Sequence, residues 1–231
     1  MRIGETQGIV DRADVDKIRH GLDDLLQICD GGVGAQLLEA YFGDAPPFTG
    51  AHFDSVGTNS PGRFAGDDLA ALALLDVPPP RQLVVNVLVD RADEYNRMLV
   101  AIPDDVDLWD AEVDHLESAG TLRQQLKAID DVGWVTAHKL IARKRPRLHP
   151  VYDRVVHRWF HAPDGIRYGL GVVLGDDPDL REALNAALPT DAADGRHLLR
   201  RIDIAIWLLG AHNDAAAAVR EPLGVVAPGR S

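Results

Sequence analysis

Apolar residues along this chain recur at helical steps far more often than they alternate. In DRADVDKIRHGLDDLLQICD, Val15, Ile18, Leu22, Leu25 and Cys29 fall three or four apart, with aspartates available to cap the start and Gly31 and Gly32 to end the helix. GAQLLEAYF reads as a short helix, whereas APPFTGAHFDSVGTNSPGRF is punctuated by proline and glycine and reads as loop with room for a strand turn. GDDLAALALLDV predicts a buried helix capped by Asp67 or Asp68 and stopped by Pro78, Pro79 and Pro80. LVVNVLV at 83–89 is ambiguous: its β-branched residues favour strand and its flanks favour helix, and helix is the reading adopted. Further helices end near Ile129, restart after Gly133, start again near Asp153 and cover DPDLREALNAAL. The last long one carries a stripe of Leu198, Ile202, Ala205, Ile206 and Leu209, with Trp207 alongside. NDAAAAVREPLGVVAPGRS has no pattern beyond an alanine run. The expectation is an all-α, mainly helical domain over residues 1–213 followed by a loosely held tail over 214–231, without internal repeats.

Composition narrows the class. At 231 residues the chain can bury a substantial core without staples. Its one cysteine, Cys29, excludes an internal disulfide framework and a cysteine-rich zinc site and fits a reducing cytosol. The first residues, MRIGETQGIVDRAD, lack an apolar leader, and no window reaches the roughly 18 apolar residues of a membrane span, so a cytoplasmic protein with no membrane partner is expected. A formal charge of −12 argues against a general nucleic-acid coat. The charge is uneven, however: Leu122 to Arg158 holds nine lysines and arginines against three aspartates, a local +6. That segment is an electrostatic island, and local sign is what an anionic ligand meets.

Within that island, Leu122, Leu126 and Ile129 close one helix, Asp130-Asp131-Val132-Gly133 make a tight turn, and Val132, Thr136 and Leu140 with Ala137 and Ile141 line the next. Two helices joined so closely form a helix-hairpin-helix, whose second helix aims backbone N–H groups and a positive dipole end over the turn. Lys139 and Arg143 follow on one face, and Lys144, Arg145 and Arg147 extend the positive field. This arrangement resembles the helix-hairpin-helix DNA glycosylase superfamily of base-excision repair over residues 120–160. Ile129-Asp130-Asp131-Val132-Gly133 stands for the family's Leu-Pro-Gly-Val-Gly turn, Val135-Thr136-Ala137 for the start of its second helix, and Val151-Tyr152-Asp153 for the segment ending in its catalytic aspartate. The resemblance implies a DNA glycosylase-like fold, Asp153 as the catalytic residue, and Gly133, Trp134, Thr136, Lys139, Arg143, Lys144 and Arg145 as the DNA-binding set. As a whole, with FAGDDLAALALL, ARKRPRLHPVYDRVV and RRIDIAIWLL, the chain is also similar to a family of actinobacterial proteins of unknown function, which implies no activity.

The departures are chemical. Asp130 and Asp131 replace Pro-Gly and would repel a phosphate backbone unless turned away as caps. Val135 occupies the position of the Schiff-base lysine of bifunctional members, so a monofunctional enzyme is implied. Lys139 lies one turn further on the same face, about 5.4 Å along the axis. The absent cysteines exclude an iron–sulfur cluster. Asp153 reads equally as a helix N-cap, and ARKRPR as a solvated helix end answering the negative dipole. Asp153, His157 and His161 fall at steps of four, but residues eight apart on a helix are separated by about 12 Å and cannot share one ion; neither a metal nor another cofactor is expected. Of Trp134, Trp159 and Trp207, only Trp134 sits beside the turn where it could stack on an extruded base; the others read as core. The acid pairs Asp67-Asp68 and Asp176-Asp177 read as caps. Two functions from different classes stand: a monofunctional enzyme excising a damaged or modified base, and a non-catalytic helix-hairpin-helix module binding DNA or a protein.

Overall fold

The computed structural model describes residues 11–43, 48–161, 165–190 and 196–225. The first ten residues, APP of the long loop and the end of the expected tail lie outside the described residues. The described residues contain α-helices and short 3-10 or π turns and no strand. Helix α1 (Arg12–Cys29) starts at Asp11, whose carboxylate accepts from the Ala13 amide at 2.9 Å, and ends where Gly31 and Gly32 take φ of 62° and 88°. Helix α2 (Val33–Phe42) follows at once. A long irregular segment leads to α3 (Gly66–Leu74), then α4 (Arg81–Val85), a π turn over Asn86–Asp90 and α5 (Ala92–Val100). The ambiguous 83–89 run is therefore helical, with its exposed Val85 and Val89 carrying the β-branched residues that confused the reading.

Helices α6 (Val113–Lys127) and α7 (Trp134–Lys144) pack on each other across a turn of residues 128–133. Helix α8 (Arg154–Phe160), α9 (Ile166–Asp176), α10 (Pro178–Ala187), α11 (Leu198–Gly210) and α12 (Asp214–Arg220) complete the chain. Helix α11 is the central rod: eleven of its residues are buried, and α2, α8 and α12 pack against it. Helix α1 lies on α9, α10 and α2. Gly34 permits the α2–α10 contact, because a Cβ there would overlap the Ala187 carbonyl oxygen. One continuous apolar cluster, from Ile18 of α1 to Ala216 of α12, is the core. Among the described residues no helix is long and apolar enough to cross a membrane.

Three local expectations need correction. The tail begins as helix α12, capped by Asn213 accepting from the Ala216 amide at 2.8 Å and anchored by the buried Arg220, which donates to the carbonyls of Leu208 and Ala211 at the end of α11. The alanine run hid an ordinary capped helix. Helix α3 stops at Leu74, before the prolines, where Asp76 takes φ of 57°. Its N-cap is Ala65; Asp68 serves the start from the third helical position by accepting from the Ala65 amide at 2.8 Å.

Candidate functional site

The long segment between α2 and α3 has almost no regular structure, so its carbonyl groups need partners from elsewhere. The basic run supplies them. Arg143 of α7 donates to the carbonyls of Phe53 and Val56, and Lys144 to that of Ser60 at 2.9 Å. Arg145 reaches the Pro61 carbonyl at 2.9 Å and, through Nε, that of Ile102 at 2.7 Å. Asp68 of α3, wholly buried, stands between two of these cations: Arg143 Nε lies 3.3 Å from one carboxylate oxygen and Lys144 Nζ 2.6 Å from the other. Arg147 pairs with Asp107 at 2.6 Å.

This corrects the expectation of a basic surface. Lys139, Arg143, Lys144 and Arg145 are all buried and face inward, so ARKRPR is a clamp on the loop and neither a phosphate grip nor a solvated helix end. Gly133 is the N-cap of α7 and exposed, without a side-chain cap; Thr136 is buried. Trp134 packs against Tyr152, His138 and His157 with ring centroids 5.6–6.1 Å apart. Asp130 and Asp131 are exposed at the turn and do not cap α7. Asp131 takes φ of 63°, the left-handed conformation a glycine would adopt freely. His157 bonds the Tyr152 hydroxyl at 3.0 Å, and no group of three metal-ligating side chains occurs among the described residues.

The clamped loop closes one wall of a cavity of about 260 Å³ that brings together residues far apart in the chain. Lys139, Asp153 and Asp203 line it with Arg200 and Asp76, and Tyr41, Phe48 and Trp207 form an aromatic flank. Tyr41 stacks on Phe48 at 5.0 Å, and Trp207 stands edge-on to Phe48 at 5.6 Å. Asp153 is the N-cap of α8: its Oδ1 accepts from the amides of Val155 at 2.8 Å and Val156 at 3.1 Å, which leaves Oδ2 outside the cap. The cap and the cavity wall are thus the same residue.

Asp203 and Arg200 form the buried part of the site. Arg200 donates to Asp203 at 2.8 Å and to Asp54 at 2.8 Å, and burial against its charge is outweighed by those two carboxylates, which raise its pKa. Asp203 Oδ2 is buried without a hydrogen-bond partner. Burial pushes the Asp203 carboxyl up to about 8; Arg200 opposes this, while Asp54 and Asp153 add to it. The Lys139 ammonium is lowered by burial, opposed by Asp153 and Asp203, and donates to the Leu75 carbonyl at 3.0 Å. Burial likewise pushes the Tyr41 hydroxyl up to about 12, against the pull of Arg200. The cavity therefore offers a carboxylate at its rim, a carboxyl group that keeps its proton near neutrality, a lysine between them in charge terms, and a flat apolar wall. Such a set can bind a small ring-bearing ligand and move protons at it.

Asp203, Arg200, Tyr41 and Phe48 were not anticipated. The available signal was Arg200 and Asp203 at a three-residue spacing inside an otherwise apolar helix, since charged residues in a buried stripe are rare unless paired. Trp207, read as core, lines the cavity, whereas Trp134, read as the stacking candidate, does not. No curated protein and no solved structure matches the chain. The sequence does match a family of unknown function (DUF6308) over residues 34–210, a span that contains α3, the clamp, Lys139, Asp153 and Asp203, and the chain belongs to that family.

Proposed function

We propose that the chain is a monofunctional glycosylase-like hydrolase that breaks an N-glycosidic bond with the base held against Tyr41, Phe48 and Trp207. The observation that carries this reading is the convergence of Asp153, Lys139 and Asp203 on one small cavity. A volume of about 260 Å³ suits a single ring system, below the usual range for larger ligands. In the reaction, Asp153 Oδ2 takes a proton from water as the water oxygen bonds to the anomeric carbon. The C–N bond breaks with its electron pair on the departing base, which takes the proton held by Asp203. Lys139 keeps the two carboxyl groups in place through its charge and is not the nucleophile, consistent with its bond to the Leu75 carbonyl.

A second reading, a helix-hairpin-helix module without catalysis, is favoured in its protein-binding form by one observation: the clamp buries the cations that would grip a duplex. Base release from oligonucleotides carrying alkylated, oxidised or deaminated bases, single-stranded and duplex, and from free nucleosides, separates the two. The enzyme reading predicts a released base, an intact sugar–phosphate strand and no adduct on borohydride reduction. An adduct that disappears in Lys139→Ala would make Lys139 the nucleophile instead; no release from any substrate would leave the binding module.

A further inference from the structure

Arg123 and Arg167 are not neutralised as the clamp cations are. Leu116, Gly120, Arg123 and Lys127 follow at four-, three- and four-residue steps and so share one face of α6. Arg167, in the first turn of α9, lies across that face and donates from Nη1 to the Leu116 carbonyl at 3.1 Å. Gly120 leaves it room: a Cβ there would stand 3.4 Å from Arg167 Nη2. Among the described residues no carboxylate lies within 4.0 Å of either guanidinium. Arg123 Nε is buried without a hydrogen-bond partner. Arg167 is lowered to about 10, by burial first and by Arg123 second.

Arg167 stands over the Tyr168 ring at 5.9 Å, which offsets part of the cost, but the other groups around it among the described residues add no negative charge. His138 and His149 of the neighbouring α7 region lie 2.9 Å apart, are kept neutral chiefly by burial, and are repelled by Arg167 and Arg123. Lys127 adds a third positive charge and is exposed; Arg123 and Arg167 are partly buried. A partly buried guanidinium pair with no carboxylate partner among the described residues is unfavourable, and a tetrahedral oxyanion accepting from both, in the forked geometry guanidinium groups favour, removes that penalty.

We propose that Arg123, Arg167 and Lys127 form a binding site for a phosphate group, free or carried on a nucleotide or a nucleic-acid strand. The site shares no residue with the cavity around Asp153 and stands whether or not that cavity is catalytic. Thermal unfolding and titration calorimetry of the full chain in sodium phosphate, against sodium chloride at equal ionic strength, test it with wild type, Arg123→Gln, Lys127→Gln and Arg167→Gln. A saturable rise in midpoint with phosphate is expected in the wild type. Arg123→Gln should weaken phosphate binding about tenfold or more. In chloride, Arg123→Gln should melt no lower than the wild type, because it relieves repulsion; this keeps the test decisive even if Arg167→Gln fails to fold. Phosphate also stabilises proteins generally by exclusion from their surface, an effect that a single substitution leaves unchanged. An equal response in wild type and Arg123→Gln therefore overturns the proposal. A nucleoside monophosphate and a short single-stranded oligonucleotide form the other arms: whichever binds more tightly than inorganic phosphate, with the same dependence on Arg123, identifies the carrier. Failure of all three ligands overturns the site.

Discussion

Single residues in this protein carry two duties, and that is why several were legible only in part. Asp153 satisfies the first turn of α8 with one oxygen and also lines the cavity, so its capping role leaves a role at the cavity open. Asp68, read as a cap, does serve the start of α3, yet its larger contribution is as the buried counter-charge of Arg143 and Lys144. Nothing in GDDLAALALL announces a partner 75 residues away. Asp131 is a different case: read only for its charge, it adopts φ of 63°, a left-handed conformation that favours glycine. Asp131→Gly should therefore stabilise the fold by about 0.5 kcal/mol, the left-handed penalty being partly offset by the entropy of glycine in the unfolded chain. A lower unfolding midpoint for that variant would show that the aspartate makes a compensating interaction.

At the scale of elements, periodicity found most of the helices because each buries one stripe against the core; it missed α9 and α12, where glycines and alanines blur the stripe. The function of the basic run was misread for a physical reason: a sequence shows charge but not the direction of a side chain, and the carbonyls that call for those cations belong to a loop almost a hundred residues earlier. A long segment without secondary structure is itself the signal, since its backbone groups need partners from neighbouring elements. Asp68→Ala should be among the most damaging substitutions, costing about 3–5 kcal/mol, because it leaves two buried cations without their carboxylate. Asp68→Asn, which keeps the acceptor for the Ala65 amide, should recover only a fraction of that loss. A change below about 1 kcal/mol in denaturant unfolding of Asp68→Ala would mean that the carbonyls alone hold the clamp.

For the whole molecule, three buried groups pull the pH dependence of stability in opposite directions. His138 is pushed to about 3 by burial and by Arg167, Arg123 and Lys127, and His149 also falls well below its ordinary 6.5. Below 6.5 the unfolded chain takes up protons that the folded chain refuses, so these two groups make stability fall as pH falls. Asp203, raised to about 8, acts the other way: the folded chain keeps a proton that the unfolded chain releases above 3.8, and stability declines as pH rises toward 8. Two histidines outweigh one carboxyl on the acid side, and Asp203 acts alone of the three above 6.5, which places the maximum these groups impose near pH 6.5. His149→Gln should flatten the acid limb and Asp203→Asn the decline toward 8; limbs unchanged in both variants would contradict these assignments. The cavity that depends on this core is assembled from α2, the clamped loop, α7, α8 and α11, and the claim that it performs chemistry is tested most directly by the rate of base release in wild type and Asp153→Asn under single-turnover conditions. Asparagine keeps the cap, so the unfolding midpoint should not move, while the rate should fall about 100-fold or more through loss of the general base. Release at a comparable rate in Asp153→Asn would contradict the account.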